Sequence, residues 1–330
     1  MPPRRKSSGT PQSPAASRRS SGGKRRGRFG NAGFLLLWLL AAFGVHSALR
    51  QWLPGYAERA HEVEKTASRL IRMLDAKLRL FGNADSAIII KTPEDVLRSP
   101  CDNLKMGVPS WSCDIILDRE GYALGYSERY EQPLWVSYKL TIAEASSGKA
   151  RRSENFRADP MIPGGSAEPE DYQGAFYDRG HLAPAADMTF SLQAMSESFL
   201  LSNVSPQKAE FNSGIWRELE AQVRQFAATN GEIYVVTGPI FQPGKPVVTI
   251  GAGHVAVPHA YYKVVLDATP PDCKAIGFIL PHRGSDRPLR EFAVTVDAVE
   301  RATGLNFFDR LDPELERKLE SECDFSRWTH

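Results

Sequence analysis

The chain has 330 residues, of which 42% are hydrophobic and 24% charged. That is enough apolar residue to build a core, and it excludes a wholly disordered protein. The net charge of +2 is unevenly spread: residues 1–33 carry nine Lys and Arg and no acid, and the rest holds 32 basic against 39 acidic residues, a net of −7. A histone-like coat that binds nucleic acid by bulk charge is excluded, so any polyanion contact needs a local basic patch.

Four segments follow in chain order. Residues 1–31 are rich in Arg, Ser, Pro and Gly, with Phe29 their only large apolar residue, and the composition predicts a disordered leader. Residues 32–49 begin with the uncharged run Ala32–Val45. Its length lies between a signal-peptide core and a full membrane span. With nine positive charges ahead of it, the segment is expected to be a signal anchor. It would keep the amino end in the cytosol and place the body in the periplasm or outside the cell. Cleavage after Ser47, giving a secreted protein, and a mitochondrial presequence are the alternatives. Residues 50–87 contain Val63, Ala67, Leu70, Leu74, Leu78 and Phe81 at spacings of three and four. This predicts an amphipathic helix over Tyr56–Phe81, a stalk or a linker, stopped by Gly82.

From 88 to 330 the pattern changes to a mixed α+β domain. Strands are expected over Trp135–Thr141, Ile233–Phe241, His254–Leu266 and Ala275–Leu280, which are β-branched, aromatic and bounded by Gly or Pro. Helices are expected around Gln193–Phe199, Ser213–Thr229, Leu289–Thr303 and Pro313–Glu322. The strands read as mostly antiparallel. No Walker or Rossmann glycine loop is present, so a nucleotide cofactor has no support. Cys101, Cys113, Cys273 and Cys323 lack zinc-ligand spacing. In an oxidising compartment, sequence proximity suggests the pairs Cys101–Cys113 and Cys273–Cys323; buried free thiols are the alternative.

The densest run of reactive groups is Tyr177-Asp178-Arg179-Gly180-His181. Gly180 is expected to allow a tight turn that brings Arg179 and His181 to one ligand. An imidazole with an ordinary pKa of about 6.5 takes a proton from water near neutral pH. A guanidinium fork matches a phosphate. Downstream lie Asn203, in LSNVSPQ, and Asn212, in FNSGIWRELE. On an ideal helix Asn212, Trp216 and Glu220 share one side. An amide oxygen and a carboxylate near a helix start suit a hard, hydrated cation such as Mg²⁺. An Asn there also serves as a helix N-cap.

The ordered blocks YDRGHLAPAADM, LSNVSPQ and FNSGIWRELE resemble the DNA/RNA non-specific endonucleases, over about residues 107–308. So do VSYKLT, NFRADP, TGPIF and HVAVPHAYYKV. The resemblance implies a ββα-metal nuclease fold with a mostly antiparallel central sheet, preceded here by the anchor and the helical stalk. It implies His181 as general base, Asn212 as the direct ligand of Mg²⁺ (or Mn²⁺ in its place), and Glu220 and Asn203 holding metal waters or orienting the site. Arg179 would contact the phosphate, and Asp178 would brace the turn. Glu154 stands where the family has an upstream arginine; among the nearby Arg151, Arg152 and Arg157, Arg152 is assigned the second phosphate contact.

One base, one hydrated cation and one or two arginines supply what phosphodiester hydrolysis requires: an activated water, charge stabilisation and help for the leaving oxygen. The implied partners are DNA and RNA as substrates, and the membrane through residues 32–49; a homodimer is left open. Two other readings remain: a membrane-tethered nucleic-acid-binding receptor on an inactive nuclease fold, and a phosphodiesterase for a different substrate.

Overall fold

A computed structural model describes residues 87–328. The leader, the apolar segment 32–49 and the helix expected over Tyr56–Phe81 lie outside the described residues. Among the described residues no helix is long and apolar enough to cross a membrane.

The chain runs through β1 (Ile88–Ile90), α1 (Pro93–Arg98), β2 (Ile115–Asp118), β3 (Ala123–Ser127), β4 (Gln132–Thr141) and α2 (Ile142–Ala145). It continues through β5 (Asp178–His181), α3 (Leu192–Ser198), β6 (Val204–Gln207), α4 (Arg217–Asn230) and β7 (Glu232–Ile240). The last elements are β8 (Thr249–Ile250), β9 (Val255–Ala256), β10 (Ala260–Asp267), β11 (Lys274–Pro281), β12 (Ala293–Val294), α5 (Val296–Thr303) and α6 (Pro313–Ser321). Eight strands form one sheet in the order β1-β2-β3-β4-β7-β10-β11-β12, and all its pairings are antiparallel.

Both faces of this sheet are covered, so its central strands are apolar almost throughout. Alternate residues serve opposite faces. Val235, Tyr261 and Val265 pack with Trp216, Leu219, Val223 and Phe226 of the α4 side. Val236, Tyr262 and Val264 pack with Val296, Val299 and Leu319 of α5 and α6. The expected strands are present, with one division. His254–Leu266 breaks at Pro258 and His259 into β9 and β10, because a proline cannot donate to the ladder. The helix expected over Leu289–Thr303 is likewise three pieces: a 3₁₀ turn at Leu289–Phe292, the short β12, then α5. Thr295 caps α5 by accepting from Ala298 N at 3.1 Å, so the helix starts there rather than at Leu289.

The suggested cysteine pairs are not formed; all four cysteines are free thiols.

Candidate active site

The run Asp178–His181 is a strand, not the expected tight turn. β5 pairs antiparallel with β6, with Arg179 opposite Pro206 and His181 opposite Val204. A strand's two-residue period places Arg179 and His181 on one face, so the two groups meet through strand alternation. Gly180 has a different role from the one expected. A Cβ there would stand 2.2 Å from Cδ and Oε1 of Gln207, so glycine leaves the space that the Gln207 side chain fills.

After β6 the chain makes one helical turn at Ala209–Phe211, a wide π-turn at Asn212–Trp216, and then α4. The two strands and this helix form a ββα unit. Asn212 has helical dihedrals and its N–H donates to Lys208 O at 2.8 Å, so it is inside the helical segment and is not an N-cap. The π-turn, with Gly214 at φ −99° and ψ −118°, resets the helical phase. Asn212 stays at the cavity while Trp216 goes fully into the core. The shared side expected for Asn212, Trp216 and Glu220 is therefore divided by one wide turn, a device common at functional sites. Trp216 Nε1 donates to His181 O at 3.4 Å, and ties the helix to β5.

The helix start is held by a residue that sequence reading passed over. His282 Nε2 accepts from Lys208 N at 2.7 Å, and its Nδ1 lies 2.9 Å from Pro258 O. With one nitrogen accepting and the other donating, the ring is neutral. Burial pushes its pKa down to about 4.

A cavity opens beside β5, lined in part by Arg152, Phe156, Asp178, Arg179 and Asn212. Asn212 Nδ2 donates to Asp178 Oδ2 at 3.0 Å, which leaves Oδ1 without a protein partner. His181 is packed against Phe156, with ring centroids 5.2 Å apart, and Phe199, at 4.9 Å. Arg179 Cζ lies 4.3 Å from the centre of the Phe156 ring, and Arg152 Cζ 5.1 Å from that of Phe199. Two cations and two rings thus surround one imidazole. Burial pushes the His181 pKa down to about 3, with Arg152 and Arg179 adding to the effect. The ring is neutral at physiological pH, and its Nε2 is buried with no hydrogen-bond partner.

Arg152 reaches this place because its loop is pinned at both ends. Ala150 N donates to Thr189 O at 2.8 Å, Arg157 N to Phe199 O at 3.2 Å, and Leu201 N to Arg157 O at 2.8 Å. Arg152 also pairs with Glu154. Phe156 and Phe199 were missed as walls of the site; an aromatic in NFRADP was the only local signal for them.

Asn203 does not line the cavity. It is fully buried, its Oδ1 accepts from Ala183 N at 2.9 Å, and its Nδ2 donates to Ala183 O at 2.9 Å and Ser198 O at 3.0 Å. The amide is spent on backbone, so of the two roles expected for Asn203, holding metal waters or orienting the site, the bonding fits the second: it clasps the segment leaving His181. The role expected of Asp178 is a brace of the turn; its carboxylate accepts from the Asn212 amide.

Glu220 is half-buried on α4 and does not line the cavity. Its surroundings are Lys263, Asp187, Arg224 and, towards the cavity, Arg152. Lys263 is fully buried on β10, its Nζ without a hydrogen-bond partner and 4.8 Å from the Trp216 ring centre. Burial raises the Glu220 pKa and lowers that of Lys263, and their attraction opposes both shifts. Asp187 is held by Arg224 at 2.9 Å and by the Tyr138 hydroxyl at 3.0 Å. Nothing in the local pattern of β10 marked a buried lysine as part of the helix's electrostatic support.

The donor set suits a hard divalent ion. Among the described residues, the amide oxygen of Asn212 has no hydrogen-bond partner at the cavity, and Asp178 fixes its orientation. The residues fit the cation that the sequence implies.

A ββα unit beside a large antiparallel sheet, with a histidine between arginines, defines a class of nucleases, and comparison with known proteins agrees. Residues 99–314 match the DNA/RNA non-specific endonuclease family. The chain is 39% identical over 236 residues to a nuclease of Syncephalastrum racemosum, covering 65% of this chain and 73% of that protein. It is 36% identical over 215 residues to human mitochondrial endonuclease G, covering 62% and 72%. The solved structure of an EndoG/EndoGI complex superposes with a TM-score of 0.61 at 32% identity, over 66% of this chain and 93% of that one. The chain belongs to the DNA/RNA non-specific endonuclease family. It is a hydrolytic nuclease, of a family that depends on a divalent metal.

Proposed function

We propose that residues 88–330 form a Mg²⁺-dependent, sugar-non-specific endonuclease domain that hydrolyses phosphodiester bonds of DNA and RNA. The observation that carries this reading is the neutral imidazole of His181, buried with an unpartnered Nε2 between the Phe156 and Phe199 rings, over which the Arg179 and Arg152 guanidinium groups lie. A neutral imidazole accepts a proton from water, and adjacent guanidinium groups stabilise the charge that grows on the phosphate.

In this reading His181 takes the proton of the attacking water. Arg179 and Arg152 hold the phosphate oxygens. Asn212 carries the metal through Oδ1, with Asp178 orienting its amide. Glu220, outside the cavity lining and in the field of Lys263, orients the metal's waters from the α4 side. When bound, the metal supplies positive charge at the phosphate and at the leaving oxygen. Asn203 holds the strand exit that positions His181. Phe176, 96% exposed and next to the cavity residue Tyr177, presents an aromatic face on which any base can stack, which suits a sequence-indifferent enzyme.

Segment 32–49 is proposed as a membrane anchor with the nuclease domain on the periplasmic or outer side, supported by the nine positive charges before it. Membrane retention through a high-salt wash tests that; a freely soluble mature chain starting at Ala48 overturns it.

The deciding assay is cleavage of plasmid DNA and of RNA with and without Mg²⁺, on wild type and His181→Ala. Metal-dependent cleavage of both polymers, lost in the variant, supports the reading. Binding without cleavage indicates a receptor, and hydrolysis confined to small phosphodiesters indicates a different substrate.

A further inference from the structure

On the opposite face of the sheet from α4, α5 and α6 bring three carboxylates together. One oxygen each from Asp297, Glu300 and Glu320 lies within 4.8 Å of the others. Asp297 and Glu300 are three apart on α5 and so share one side of it, and Glu320 comes from α6. Both helices pack through Val296, Val299 and Leu319 on the sheet face opposite to α4, which separates this cluster from the catalytic residues.

Acidic groups often gather on surfaces without consequence, but Glu320 is not on the surface. It is only 6% exposed, and its Oε1 is buried with no hydrogen-bond partner. A carboxylate without a partner, facing two other carboxylates, is costly to bury. The groups nearby do not offset it. Arg301 stands 3.9 Å from Asp297 and turned to that residue, and Glu316 adds a fourth acid to the electrostatic environment of Glu320. Glu300 is held in position because its Oε1 accepts from Phe307 N at 2.8 Å.

We propose that Asp297, Glu300 and Glu320 form a second, structural cation site that takes Ca²⁺ and ties α5 to α6. All three donors are hard oxygens, which excludes a preference for soft metals. Ca²⁺–oxygen bonds run about 2.3–2.6 Å in flexible geometry, so two ligands of one ion stand no more than about 4.6–5.2 Å apart, and three oxygens all within 4.8 Å of one another admit it. Mg²⁺ demands strict octahedral geometry and keeps several of its waters, which suits a cluster of three protein carboxylates less well. The ion gives the buried Oε1 of Glu320 its partner and offsets the mutual repulsion of the acids. The competing arrangement is a proton shared between Glu320 and Glu300, with no metal.

The experiment is a Ca²⁺ titration of the full-length protein after chelator treatment, read by calorimetry and by thermal melting. Asn212→Ala removes the ligand assigned to the catalytic metal, so a site that persists in it lies elsewhere. Asn212→Ala is expected to bind one Ca²⁺, and to melt about 3–6 °C higher at ten times the Kd. Adding Glu320→Gln to that variant is expected to weaken binding at least tenfold; adding Asp297→Asn, which is less buried, does the same if Glu320→Gln impairs folding. Glu320→Gln alone should keep Mg²⁺-dependent plasmid cleavage. The proposal is overturned if Asn212→Ala binds no Ca²⁺, or if the added substitutions leave its affinity unchanged.

Discussion

Asn212 donates its side-chain N–H to the Asp178 carboxylate across 3.0 Å, from the π-turn ahead of α4 to the first residue of β5. With the Trp216–His181 bond this contact joins the helix to β5; it also turns the amide oxygen of Asn212 to the cavity and explains an acid at the start of the Asp178–His181 strand. Because Asn212 is inside the helical segment, its replacement removes no cap. Asn212→Ala is expected to shift stability by less than about 1 kcal/mol, from one partly exposed hydrogen bond. It should lower the cleavage rate by at least about 100-fold and raise the Mg²⁺ concentration needed, as loss of a metal ligand does. A melting curve beside a metal titration of rate separates the two effects; a large loss of stability with normal metal dependence goes against the ligand assignment.

His181→Ala is expected to lower cleavage of DNA and RNA by about 10²–10⁴-fold, the usual worth of general-base catalysis. Its circular dichroism should match wild type. Undiminished rates in a folded variant contradict the role.

Gly180→Ala is expected to impair folding and activity together. The added Cβ meets the Gln207 amide at 2.2 Å, and overpacking of this kind costs about 1–3 kcal/mol. The double variant Gly180→Ala with Gln207→Ala should regain part of the stability, measured by urea unfolding, since the clash is then removed.

Stability should fall with acidity between pH 6.5 and about 4. His181 and His282 have folded pKa values pushed down to about 3 and about 4. Below pH 6.5 the unfolded chain binds protons that the folded chain refuses. The contribution of each buried neutral ring is thus complete above pH 6.5 and is lost as pH falls towards its folded value. For His181 alone the loss by pH 5 is on the order of 1–2 kcal/mol. His181→Gln should flatten the dependence of melting temperature on pH over this range; an unchanged slope contradicts the buried neutral ring.

Denatured, unreduced protein should titrate four thiols, matching the four free cysteines. In the native state Cys113, whose pKa burial pushes up to about 12, should alkylate far more slowly than the exposed Cys323. A count of zero thiols in the denatured protein means that the bridges form after all.

The sequence by itself was sufficient for features that depend on near neighbours. The continuous apolar runs at Ile233–Phe241 and Ala275–Leu280 are strands because a sheet covered on both faces imposes no polar alternation. His181, Arg179 and Asn212 were legible as chemistry because an imidazole, a guanidinium and an amide keep their properties wherever they sit. Other features depended on contacts between residues distant in sequence, which no local pattern carries. Gly180 looks like a turn glycine until Gln207 is placed against it. Asn203 reads equally as a holder of metal waters or as a positioning residue until its amide is found bonded to Ala183 and Ser198. Arg152 joins the site because its loop is tied to Phe199 and Thr189, and Lys263 supports Glu220 because β10 crosses beneath α4. Tertiary structure alone decided these, since each is a packing or hydrogen-bond constraint whose two partners are brought together only when the chain folds.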